Sequence, residues 1–201
     1  MNLTFEKAME LTATVNCAGV YSDAALRGLW SAAINSPTVG NFVEIGCEYG
    51  RSTSLLAQVA KERNQYLVLI DPFVKHLDGK PGSHAAASVI RMLVDIDVEF
   101  CLLRGHSYKV PYDFGPIAFL HIDGNHSEAF LASDIQRFAP FLMDGGYVAL
   151  HDYGNPDPYS KDVQRVVDRM MPKDCEVELA DTCKIYCGGG VYSDYYTKGR
   201  P

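Results

Sequence analysis

The chain has 201 residues, with 18 lysines and arginines against 25 aspartates and glutamates, for a formal net charge of −7. That length fits one domain able to bury roughly 70% of its unfolded surface. Its 47% hydrophobic and 21% charged residues exclude a disordered chain. The acidic balance opposes nucleic acid and anionic membrane as partners, since both need a basic face. No apolar run approaches the ~20 residues that span a bilayer. The start, Met1 to Lys7, lacks a basic region followed by a continuous apolar stretch, so no signal peptide is read and a cytoplasmic protein is expected. A homo-oligomer is compatible with the sequence, which leaves the oligomeric state open.

The apolar period alternates between helix-like and strand-like along the chain. Residues 3–15 and 22–34 read as helices, the second opened by Ser22-Asp23 and stopped before Pro37. Strand 41–45 runs into glycine, helix 52–61 follows, and strand 66–70 closes at Asp71-Pro72. Residues 73–84, with Gly79, Pro81 and Gly82, read as a lid loop. Helix 85–95, strand 98–103, a turn region, strand 117–122 and helix 127–139 come next. A turn at Asp144-Gly145-Gly146 precedes strand 146–151, helix 160–171 ends at Pro172, and strands 175–180 and 183–187 finish the core.

This order predicts an α/β, Rossmann-like, doubly wound sheet with helices on both faces. It is mostly parallel, with an antiparallel C-terminal hairpin across Asp181-Thr182. Residues 1–36 form N-terminal helices, 40–187 the core and 188–201 a Tyr-rich tail. Cys17, Cys47, Cys101, Cys175, Cys183 and Cys187 read as buried free thiols, because no second Cys or His pair completes a zinc site.

Ligands of such sheets sit beyond the carboxyl ends of the strands, which directs attention to three segments. Glu44-Ile45-Gly46-Cys47-Glu48-Tyr49-Gly50-Arg51-Ser52-Thr53 joins a strand to a helix. Counted from Gly46, the dinucleotide pattern Gly-x-Gly-x-x-Gly gives Gly46, Glu48 and Arg51, which disfavours a nicotinamide site. Asp71 ends the second strand, where a carboxylate accepts both hydroxyls of a ribose. Asp123 and His126 follow the fourth strand and His151-Asp152 the fifth. If those strands are adjacent, the four converge, a set suited to a divalent cation and a general base. Alternation turns His121 into the packing, a structural role. Gly124-Asn125-His126 partly echoes metal-dependent hydrolases, but their upstream ligands are missing. A non-catalytic cofactor- or partner-binding module on this fold is the further alternative.

The runs Val43-Glu44-Ile45-Gly46, Gly50-Arg51-Ser52-Thr53, Leu69-Ile70-Asp71-Pro72, Ile122 to Ser127, and Gly145-Gly146 leading to His151-Asp152-Tyr153 resemble the class I S-adenosylmethionine-dependent methyltransferases. The branch they resemble most is methyltransferase family 24, which includes relatives of sugar O-methyltransferases. The resemblance spans roughly residues 40–170 and implies O-methylation of a small-molecule acceptor. It places Glu44, Gly46 and Gly50 around the methionine part of the cofactor, Asp71 on the ribose and Ser107 near the adenine, with Cys47, Ser52, Thr53 and Asp123 also in the cofactor-binding set. Metal-dependent members hold Mg²⁺ at positions that match Asp123, His151 and Asp152 here, with His126 in the place of their general base.

Overall fold

The computed structural model describes residues 3–13, 21–74, 82–111, 113 and 115–188. The middle of the expected lid, residues 75–81, and the tail, residues 189–201, lie outside these, as does Cys17. Helices α1 (Phe5–Ala13) and α2 (Asp23–Asn35) precede a run of strands and helices: β1 (Asn41–Ile45), α3 (Arg51–Glu62), β2 (Leu67–Asp71), α4 (Gly82–Ile96), β3 (Phe100–Arg104) and β4 (Ile117–Ile122). After these come α5 (Glu128–Phe138), β5 (Leu142–Leu150), α6 (Val163–Met170), β6 (Glu176–Ala180) and β7 (Cys183–Cys187). The sheet has seven strands in the order β3-β2-β1-β4-β5-β7-β6. All pairs are parallel except β5–β7 and β6–β7.

β1, β2 and β4 are buried on both faces, which is why they read as unbroken apolar runs. Phe42, Leu67, Leu69 and Phe119 pack on one face with α1 to α4. Val43, Val68, Leu120 and Val148 pack on the other with α5 and α6. α2 starts cleanly because Ser22 Oγ accepts the Ala25 N–H at 3.1 Å, a local capping bond that the sequence announces.

Three expectations need correction. The Asp144-Gly145-Gly146 turn is part of β5, which begins at Leu142. From Ile117 to Phe119 the partner advances from Leu142 to Tyr147, so the extra residues are absorbed as a bulge. Helix α6 starts at Val163 rather than 160, because Ser160 donates its hydroxyl to Asp152 in the strand-end cluster. The five described cysteines are free, but only Cys47 and Cys183 are buried. Cys101 is half-buried on edge strand β3, and Cys175 and Cys187 flank the edge hairpin.

The ladder bonds continue past the strand ends and fix the loops that follow. Gly46 N–H donates to Ile70 O at 2.9 Å, Asp123 N–H to Ile45 O at 2.8 Å and His151 N–H to Ile122 O at 3.1 Å. Gly46 has φ +89°, and a Cβ there would lie 2.1 Å from the Asp123 carbonyl oxygen. Only glycine lets the first crossover turn and the Asp123 loop approach this closely. Gly46→Ala should therefore cost on the order of 3 kcal/mol in chemical denaturation. Gly154→Ala should cost about 1 kcal/mol, since Gly154 also has positive φ but nothing within 4 Å. Equal losses in the two variants would contradict this close approach.

Candidate active site

The strand ends of β1, β2, β4 and β5 border a cleft of about 420 Å³, a size that suits a nucleoside-sized ligand. Asp71 sits at its floor and is only 8% exposed. One carboxylate oxygen accepts the N–H groups of Cys47 and Glu48, at 2.8 and 3.0 Å. The other accepts the Phe73 N–H at 2.6 Å. Glu48 and Phe73 both have φ +46°, an uncommon conformation for side chains of that size. Asp71 thus ties down two strained turns and still has acceptor lone pairs facing the cleft.

Gly46, Cys47, Ser52 and Ser107 line the cleft; Glu44, Gly50 and Thr53 do not. Glu44 is fully buried behind the turn, where it accepts the Ser52 hydroxyl at 2.6 Å and lies 3.0 Å from His121 Nδ1. Register explains the second contact, because Glu44 and His121 are direct partners on adjacent strands and share a face. Its second oxygen has no partner among the described residues.

A hydrogen-bonded chain runs onward from there. His121 Nε2 lies 3.0 Å from the Tyr21 hydroxyl, which donates to Asp123 Oδ2 at 2.6 Å. Tyr21 also stacks on His151, with ring centroids 4.0 Å apart. His151 Nδ1 is 3.1 Å from Asp123 Oδ1. The His126 ring lies between two carboxylates, with Nε2 3.4 Å from Asp123 Oδ1 and Nδ1 3.2 Å from Asp152 Oδ2. Asp152, at φ +62°, is held by the Ser160 hydroxyl at 3.0 Å and the Asn155 amide at 2.7 Å.

Charge sets the protonation of this group. Burial would raise the Asp123 carboxyl, but His151, His126 and His121 hold it well below the usual carboxylate range. Burial works against the charged forms of His126 and His151 as well. The carboxylates of Asp123 and Asp152 outweigh it and raise both imidazoles above their ordinary value. Burial, with Asp123 beside it, pushes the Tyr21 hydroxyl well up, so Tyr21 stays a donor.

The donor atoms of Asp123, His126 and Asp152 lie within 4.8 Å of one another, so these residues could hold a metal ion. That set takes His126 in place of the expected His151. A set with imidazole nitrogen suits a divalent transition ion better than Mg²⁺, which favours oxygen alone.

Sequence reading missed Tyr21 and Asp134. Tyr21 stands about a hundred positions from the residues it touches, and no motif surrounds it. Asp134 sits mid-helix in α5, where its spacing reads as ordinary helix surface. In the structure it is 2% exposed, lines the cleft and accepts the Ser107 hydroxyl. Burial raises its carboxyl to about 6, against smaller opposing effects of Ser107 and Arg137.

The sheet ending in an antiparallel hairpin, with a cleft at the first crossover turn, is the fold of the class I methyltransferases. A family model described as a methyltransferase domain matches residues 43–153, and the chain belongs to that family, methyltransferase family 24. The O-methyltransferase NovP has the same fold at a TM-score of 0.67 and 16% identity, over 86% of this chain and 83% of its own. CalS11, a TDP-rhamnose 3′-O-methyltransferase of calicheamicin biosynthesis, gives 0.63 and 13%, over 93% and 96%. An O-methyltransferase from Bacillus cereus in complex with SAH gives 0.52 and 16%, over 90% and 87%. No curated protein matches the chain significantly. Among the described residues, no helix is long and apolar enough to cross a membrane.

The buried carboxyl of Asp134 has a thermodynamic consequence. Its value of about 6 in the folded protein lies above the ordinary 3.8, so the native state keeps this proton longer than the unfolded chain. Stability from this group is therefore fully present below about pH 4 and lost as pH rises through about 6. Asp134→Asn should stabilise the protein at neutral pH by on the order of 2 kcal/mol, with the gain vanishing at acid pH. Denaturation midpoints at the two pH values check this. A variant less stable than wild type at both would contradict it.

Proposed function

We propose that this chain is an S-adenosylmethionine-dependent O-methyltransferase acting on a small hydroxylated molecule, with His126 as the base. The observation that carries the reading is the His126 ring, seated between Asp123 and Asp152 at the rim of a nucleoside-sized cleft. O-Methyltransferases among the structures of this fold support it, and one of them acts on a sugar nucleotide.

When bound, the cofactor supplies an electrophilic methyl group on a sulfonium sulfur. Asp71 binds the ribose hydroxyls with the lone pairs that its three backbone donors leave free. Gly46 and Cys47 give backbone approach to the methionine portion. Asp152 accepts from His126 Nδ1 and fixes the ring, so Nε2 faces the acceptor. Nε2 would take the proton of the acceptor hydroxyl, while the methyl that the cofactor supplies would pass from its sulfonium to that oxygen and leave a neutral thioether. Asp123, 3.4 Å away, then stabilises the imidazolium. Tyr21 and His151 hold Asp123 in place for this. Orientation of acceptor and methyl in line contributes the remaining large share of the acceleration.

A metal-assisted variant has its own observation, the convergence of Asp123, His126 and Asp152. These three would hold a divalent cation, which would polarise the acceptor hydroxyl. His126 would then be a ligand rather than the base.

Calorimetry should show S-adenosylhomocysteine binding and no NAD binding. Asp71→Ala should weaken that binding by about 1.5–3 kcal/mol through lost hydrogen bonds to a charged acceptor. NAD binding without a response to S-adenosylhomocysteine would overturn the reading. Incubating the protein with isotopically labelled S-adenosylmethionine and a metabolite extract should yield a product carrying one labelled methyl group. His126→Ala or Asp123→Asn should cut its formation by at least ~10²-fold. Chelator should leave the base mechanism intact and stop the metal-assisted one. Full activity in both variants would contradict both mechanisms.

A further inference from the structure

Helix α4 carries apolar residues on two sides of its axis. Ala85, Val89 and Leu93 are buried in the core. Ala87, Ile90 and Val94, spaced i, i+3 and i+7, form a second stripe that faces outward, with Ile90 42% and Val94 63% exposed. A helix that covers one sheet needs only the first stripe. Beside the second runs a groove of about 710 Å³ between α4, α3 and α1. Met92, Ile96, Leu3 and Leu11 give it apolar lining, and Arg91 and Asp95 stand on its α4 side. It shares no residue with the cleft at the strand ends.

Arg91 and Asp95 are exposed, one helical turn apart, and neither side chain bonds to another described residue. Elsewhere on the helices such charges do pair: Arg27 with Glu6, and Arg165 and Arg169 with Glu128. A membrane or nucleic acid would need one sign of charge, and this face carries both. Opposite charges one turn apart complement a copy of the same helix laid antiparallel across them. In a two-fold contact, position i meets j wherever j meets i. With Arg91 facing the partner's Asp95, that register sets Ile90 over the partner's Ile96 and Val94 over the partner's Met92. The exposed ridge of one copy then enters the groove of the other.

We propose that this face of α4 binds a second copy of the chain, as a two-fold dimer with antiparallel α4 helices and reciprocal Arg91–Asp95 pairs. Burial of the Ile90 and Val94 ridge drives the contact, and the charge pairs fix its register. Neither the cleft nor its cofactor enters this contact, so the dimer and the methyltransferase reading stand or fall separately.

Analytical ultracentrifugation of the full chain over a range of concentrations tests it. Wild type should move from one chain mass to two as concentration rises. Val94→Asp puts an unpaired charge into the contact and should leave the protein monomeric. Arg91→Asp and Asp95→Arg each set like charges face to face, and should weaken self-association by roughly tenfold or more. Mixed in equal amounts, these two charge variants should associate again, because each copy carries two like charges opposite in sign to its partner's. Damage to the fold of one chain would not be repaired by a substitution in another, and all three positions are exposed. A wild type that stays monomeric overturns the proposal, whatever peptide or small ligand this face is found to hold. A dimer that survives Val94→Asp, or a mixture of the charge variants that stays monomeric, overturns it as well.

Discussion

The carboxylate of Asp71 is the contact on which the cleft depends. A parallel sheet ends in a row of loops that have no reason of their own to stay together. Asp71 joins two of them, taking N–H groups from the β1–α3 turn and from the residue after Pro72. Two of its donors belong to residues in left-handed backbone, Glu48 and Phe73. Such conformations persist only where the surroundings over-determine them. A single carboxylate that accepts from both turns, at 8% exposure, supplies that determination. The same oxygens are the ones a ribose would meet, so the group that shapes the cleft is also the group proposed to hold its ligand.

The reacting side is organised by a second set of constraints. Strand register brings Glu44 beside His121, and from there the chain of contacts passes through Tyr21 to Asp123 and on to His126, Asp152 and Ser160. Each member fixes the next, and removal of one leaves a buried polar group unmet. Tyr21 stands just before α2, so the N-terminal segment contributes a side chain to the strand-end cluster as well as packing on the sheet. Opposite charges hold the arrangement: two raised imidazoles face two carboxylates across 3.1 to 3.4 Å. The seat of His126 between two acids is what the proposed role of that ring as a base rests on.

Much of this was legible in the sequence, for identifiable reasons. Unbroken apolar strands followed by polar residues marked the carboxyl edge of a parallel sheet, and Asp71, Asp123 and His151-Asp152 stand where strands stop. Local signals such as Ser22 before α2 were equally plain. Signals that depend on three dimensions were not. Glu44 lies beside the glycine turn in sequence, yet strand alternation sends it behind the turn and out of the cleft. Tyr21 is joined to Asp123 across about a hundred residues with no spacing rule between them. Asp134 looks like helix surface until the β3–β4 connection covers it. The β5 bulge reads as a turn in sequence because Asp-Gly-Gly carries the same local preference in both.

At the centre of the proposed function is one cleft that holds the cofactor with its reacting sulfur turned toward Asp123 and His126. A crystal structure of the protein with S-adenosylhomocysteine tests it most directly. The expected result is ribose hydroxyls on Asp71 and the thioether sulfur on the His126 side. A base seated against His151 and Tyr21, or a ribose that avoids Asp71, would contradict it.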